Sequence, residues 1–114
     1  MKRLCLFVTL FLFSTLGFAF EANWYGKTTI KSIQQEIYRN TSDGGKPTLV
    51  ETSVNSPTCG GTTWVLGSTQ SGSNELFTTL LNAHLHQHQV SLYEWNCVRV
   101  QGRNYPRIGG VKVH

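Results

Sequence analysis

The sequence is poor in charge. Asp, Glu, Lys and Arg make up 14% of its 114 residues, and the formal net charge is +4. Two of the positive charges, Lys2 and Arg3, sit at the extreme N-terminus, so the rest of the chain carries only +2, too little and too scattered to draw in nucleic acid. Cysteine is scarce too, at three residues. None has another within a few positions, which excludes the close cysteine pairs of zinc and thiol-redox motifs. No serine stands in a Gly-x-Ser-x-Gly elbow. The carboxylates Glu21, Glu36, Asp43, Glu51, Glu75 and Glu94 fall on separate segments, with no two set as a glycosidase pair. No catalytic residue is assigned, no cofactor is expected, and the expected role is not enzymatic. Internal repeats, linkers and low-complexity stretches are also missing, which leaves one domain.

The N-terminus does carry a strong pattern. Lys2 and Arg3 precede an uncharged run rich in Leu and Phe from Leu4 to Leu16, and Gly17 and Ala19 follow as small residues. This three-part arrangement predicts a secretory signal peptide over residues 1–19, cleaved after Ala19, with Ala22 the second choice. The run is shorter than the roughly 20 apolar residues a membrane span needs. No span is expected after cleavage, and the expected location is secreted or periplasmic. Cleavage leaves residues 20–114, 95 of the 114, as a single domain. Cys5 departs with the signal. Cys59 and Cys97 remain as an even pair in an oxidising compartment, which predicts a disulfide.

The remaining pattern predicts strands, one helix, then strands. Thr28 to Arg39 reads as a first strand, with Ile30, Ile33, Ile37 and Tyr38 among polar neighbours. The turn cluster Asn40–Gly45 leads into a second strand, Thr48–Val54, as a hairpin. Thr62–Leu66 reads as the third strand and Gly67–Gly72 as a loop. A helix is expected from Ser73 or Asn74 to about His86, with Ser73 as N-cap and Leu76, Phe77, Leu80, Leu81 and Leu85 as its apolar stripe. Gln89 to Trp95 reads as the fourth strand, Val98–Pro106 as a polar, basic connection, and Ile108–Val113 as the fifth strand. The expected class is mainly β: a five-stranded OB-fold-like barrel with one helix between strands 3 and 4.

The segment Leu76–Phe77–Thr78–Thr79–Leu80–Leu81–Asn82–Ala83, followed by Val90–Ser91–Leu92–Tyr93, resembles the helix-into-strand segment of the B subunits of pentameric bacterial toxins, the subtilase-cytotoxin and pertussis-like group, and related small secreted proteins. The resemblance covers residues 62–97 and extends elsewhere only by element order. It implies an OB-fold, a disulfide, assembly into a homo-oligomeric ring and glycan binding. One departure is the stretch His86–Gln87–His88–Gln89, where relatives place a Gly-containing turn. No sugar-binding position of the group is matched.

His84, His86 and His88 invite a metal reading. A helix continued through His88 would put His84 and His88 on one face, whereas an extended chain after Leu85 would pair His86 with His88. Neither geometry brings a cysteine or carboxylate nearby in sequence, so no metal is assigned. The aromatic residues Trp24, Tyr25, Tyr93, Trp95 and Tyr105 suit sugar or peptide stacking, with Trp64 and Tyr93 expected in the core. Arg99, Arg103 and Arg107 are expected on a solvated loop. Within it, Arg103, Asn104 and Tyr105 are the expected ligand contacts, since they set donors beside one aromatic ring. The second expectation is a monomeric periplasmic or secreted domain that binds or inhibits another protein and has no sugar site.

Overall fold

A computed structural model describes residues 23–114. The expected signal peptide, residues 1–19, lies outside the described residues. The class is mainly β, and the described residues form six strands and one helix: β1 (Trp24–Thr29), β2 (Ser32–Gln35), β3 (Pro47–Glu51), β4 (Thr63–Gly67), α1 (Ser73–Leu85), β5 (Gln89–Val100) and β6 (Arg103–Val113). They form an open sheet in the order β1-β5-β6-β4-β3-β2. Neighbours are antiparallel except β4 and β6, which run parallel and meet where Val65 pairs with Arg107.

The expected first strand is two strands. A strand alternates faces with period two, so Ile30 and Ile33, three apart, cannot share a face without a break between them. Both reach the core, Ile30 fully buried and Ile33 packed against it. The break falls at Ile30–Lys31, where Lys31 N–H donates to the Glu51 carbonyl. Consequently the helix follows the fourth strand, not the third. The terminal strands of the sheet, β1 and β2, are joined by only these two residues.

The expected connection at Val98–Pro106 is also overturned. β5 continues to Val100 and β6 begins at Arg103, so the linker is the two-residue turn Gln101–Gly102. Both turn residues have positive φ, 51° and 79°. That is the backbone whose twist matches two antiparallel strands, and the glycine adopts it without strain.

Two apolar clusters lie on opposite faces of the sheet. Trp64 and Leu66 point into the larger, with Ile30, Val50, Val90, Leu92 and Ile108, and α1 closes it with Leu80 and Ala83. The Trp64 indole donates to the Val54 carbonyl at 3.1 Å, so its one polar atom is satisfied in the core. Of the expected helical stripe, Leu76, Phe77 and Leu80 face this core, while Leu81 and Leu85 are exposed. Val65, between Trp64 and Leu66, points the other way and joins Val98, Val100, Tyr105 and Leu49. The connection from β2 to β3 runs along this second side: Thr41 is buried and bridges Val100.

α1 begins after Gly72, not with Ser73 as N-cap; Gly72 is left-handed and makes no side-chain cap bond. At the other end His88 N–H donates to the Ala83 carbonyl and Gln87 N–H to the His84 carbonyl. This is the paired bonding of a Schellman stop, with Gln87 (φ 55°) in the left-handed position usually given to glycine.

The disulfide Cys59–Cys97 is present, with Cα atoms 5.6 Å apart, and ties the segment before β4 to β5. A bridge across 38 positions stabilises the fold by about 4 kcal/mol in the chain-entropy account. Beside it, the Ser56 hydroxyl donates to the buried Glu94 carboxylate and accepts from Cys59 N–H.

Candidate functional site: an aromatic face on β1, β5 and β6

Leu92 is fully buried, so its neighbour Tyr93 points outward. The expectation that Tyr93 belongs to the core is therefore corrected: it is half-buried on the outer face, whereas Trp64 is in the core as expected. Tyr93 pairs across the sheet with Trp24 of β1 on one side and Gly110 of β6 on the other. The Trp24 and Tyr93 rings meet edge to face, with centroids 5.4 Å apart. Trp95, further along β5, is 55% exposed.

These rings lie against a strand that gives them room. A Cβ on Gly109 would stand 2.9 Å from the Trp95 Cβ, and one on Gly110 would stand 3.1 Å from the Trp24 ring edge and 3.3 Å from the Tyr93 Cβ. The register slips between Tyr93 and Glu94, a bulge that turns both glycines toward the aromatic residues. Cations flank the rings. The Lys112 ammonium lies 4.3 Å from the Trp24 centroid and the Arg107 guanidinium 5.4 Å from that of Trp95. The Tyr93 hydroxyl accepts from the Asn23 amide at 3.4 Å. The Ser91 hydroxyl and a His114 ring nitrogen are 2.8 Å apart at the Lys112 end of the face.

Arg107 is not a solvated loop residue. Its side chain is 11% exposed, and Nη1 lies 3.0 Å from the Asp43 carboxylate. The Thr41 hydroxyl donates to the same carboxylate. That bond, with the neighbouring Arg107 charge, holds Asp43 below the usual carboxylate range.

The three expected ligand contacts are only partly gathered. The Arg103 guanidinium lies 5.3 Å from the Tyr105 ring centroid, so those two share a face. Asn104, between them, pairs with Arg99 and accepts from its Nε at 3.3 Å. Tyr105 is 8% exposed, packed with Val65, Val98 and Val100, and its ring serves the second apolar cluster. Arg99 and Arg103 are exposed at the turn. The connection after β2 approaches this end, since Arg39 Nη1 lies 3.5 Å from the Gln101 side-chain oxygen.

Because α1 stops at Leu85, the histidine pair realised is His86 with His88, their rings near-parallel and 6.0 Å apart. His84 turns inward to the Ile30 carbonyl at 2.9 Å, and His86 Nδ1 is held by the Asn82 carbonyl at the same distance. Among the described residues no group of three or more His, Cys, Asp or Glu is placed to hold a metal ion. Three further carboxylates are occupied structurally. Glu36 accepts from Arg39, Tyr38 and Gln34, Glu51 from Thr62 and Thr63, and Glu94 from Ser56. No helix of the described residues is long and apolar enough to cross a membrane.

No protein-family model, curated protein or solved structure matches the chain.

Trp24, Tyr93 and Trp95 stand in the sequence as aromatic candidates. The glycine pair, Lys112 and the Asp43–Arg107 pair do not, because their roles exist only once β5 and β6 are in register.

Proposed function

We propose that the chain is an exported, non-catalytic carbohydrate-binding module whose ligand lies on the aromatic face of β1, β5 and β6. The observation that carries this reading is Trp95: a large ring on the bulged middle of β5, over half exposed, with Arg107 against it and the Tyr93–Trp24 pair on the same face. Sugars present apolar ring faces that stack on such residues, and hydroxyls that need donors and acceptors. Tyr93, Asn23 and Ser91 supply those at the edges of the face. Arg103 and Asn104 are exposed at the β5–β6 turn and extend the polar surface, whereas Tyr105 supports it from within.

In this reading β1 and β2 are the two halves of one bent strand, and the sheet rolls into a five-stranded OB-fold-like barrel. The resemblance to toxin B subunits and the order of the strands both support it. The disulfide fits a periplasmic or extracellular location. A single shallow platform binds sugar weakly, so useful avidity calls for several copies, consistent with ring assembly.

A glycan array with the oxidised protein, paired with a sizing column, tests the proposal. We expect selective glycan binding that Trp95→Ala reduces at least about tenfold with little change in melting temperature, since most of this ring is outside the core. A wild type that is monomeric and binds no glycan would sink the carbohydrate reading. It would favour a protein-binding module, for which the adjacent exposed side chains Ile37 (81%) and Tyr38 (74%) offer an anchor.

A further inference from the structure

We propose that Asp43 and Arg107 are positioning residues: they brace the Trp95 ring from one side so that its free side meets the ligand in a fixed orientation. This inference rests on the carbohydrate reading above and adds to it a link between the ligand face and the distant β2–β3 connection.

An exposed indole on a strand can occupy several rotamers, and each alternative must be given up when a ligand stacks. Two contacts narrow the choice for Trp95, and a third steadies one of them. Gly109 lies so close beneath it that even a methyl group would not fit. The planar Arg107 guanidinium lies across one side of the ring, centred 5.4 Å away. Arg107 is itself restrained, because the 3.0 Å contact to Asp43 fixes the end of a side chain that is almost wholly covered.

Asp43 is anchored in turn. The Thr41 hydroxyl donates to it, and the same oxygen accepts from Gly45 N–H at 3.0 Å. Thr41 is 4% exposed and bridges Val100 of β5. The brace therefore starts in the backbone of the β2–β3 connection and ends on a ring of β5. Arginine suits this position chemically, since its flat guanidinium can stack on the indole while one edge holds a carboxylate. A lysine ammonium could keep the charge but not the stacking plane.

The test uses the oxidised, ¹⁵N-labelled exported protein, with R107M, R107K and D43N variants. Three quantities are read: the heteronuclear NOE of the Trp95 indole N–H, affinity for the best sugar on the array, and melting temperature. In R107M and D43N we expect the Trp95 NOE to fall while that of buried Trp64 holds, and affinity to drop about 2- to 10-fold, the cost of ordering one side chain. R107K should not restore either. An unchanged Trp95 NOE in R107M, or a lowered NOE with unchanged affinity, would overturn the proposal. D43N alters a partly exposed side chain and keeps the test decisive if R107M fails to fold. Should wild type bind no sugar, the carbohydrate reading fails, and the NOE alone decides whether the brace orients Trp95.

Discussion

A Cβ at Gly109 would lie 2.9 Å from the Trp95 Cβ and 3.1 Å from the Tyr93 ring, and the first of these atoms is too close to the backbone to swing away. Gly109→Ala should therefore cost about 1–3 kcal/mol by overpacking, read in urea denaturation, and on the proposed carbohydrate reading should also weaken glycan binding by displacing Trp95. A stability change below a few tenths of a kcal/mol would mean that the strand moves to make room. The contrast between Trp64 and Tyr93 shows how far residue type alone can be read. Both sit in apolar strand sequence, and burial of an aromatic residue is a fair expectation for each. Only the alternation Leu92-in, Tyr93-out separates them. That parity was visible in Val90–Ser91–Leu92–Tyr93, because Val90 and Leu92 are apolar while Ser91, on the parity of Tyr93, is not.

Elements were legible where their period was clean. The helix, the third expected strand and the start of the fourth are where the pattern puts them; the first hairpin forms, but its arms end early, at Gln35 and Glu51. Two errors have different causes. In Val98–Arg99–Val100 and Arg103–Asn104–Tyr105 the charged and polar residues alternate with apolar ones, a strand signal, but basic composition suggests a loop. The Gln101–Gly102 turn also lacks the Asn-Gly or Asp-Gly pair that marks such hairpins most clearly. In Thr28–Arg39 the spacing of three between Ile30 and Ile33 records a bend, which a single period cannot express. The helix stop falls within a residue of the expected His86. Gln87 takes the left-handed position of a Schellman motif, where a side chain is strained, and His86–Gln87–His88 gives no glycine to announce it. Gln87→Gly should raise stability by up to about 1 kcal/mol, offset in part by loss of the Gln87 bond to the His84 carbonyl. A fall in stability on that substitution would show that the side-chain bond outweighs the backbone strain.

At the scale of the whole molecule, three acids act together in their response to pH. Glu36 is held below its ordinary range by Arg39 and Tyr38, Asp43 by Thr41 and Arg107, and Glu51 by Thr62 and Thr63. In the unfolded chain these groups return to about 3.9 for Asp and 4.3 for Glu. Just below those values the unfolded state binds more protons than the folded one. Their contribution is thus complete above the unfolded values and is lost as pH falls through the lowered folded ones. Thermal melts should change little on this account between about pH 7 and 5, then fall steeply below about pH 4. A melting temperature at pH 3 equal to that at pH 6 would contradict this.

The pairing of Trp24 with Tyr93 has a consequence in time. The first described strand finds its neighbour only after nearly 70 further residues have been supplied, and β5 in turn needs β6, the last strand of all. A chain that leaves a membrane pore N-terminus first would expose β1 with nothing to pair against until almost the whole sequence had emerged. Such distant pairings place folding among the slower small domains, on the order of milliseconds to seconds. Until β5 arrives, Trp24 and Tyr25 are apolar surface on an unclaimed strand, open to capture by a chaperone or by a second chain.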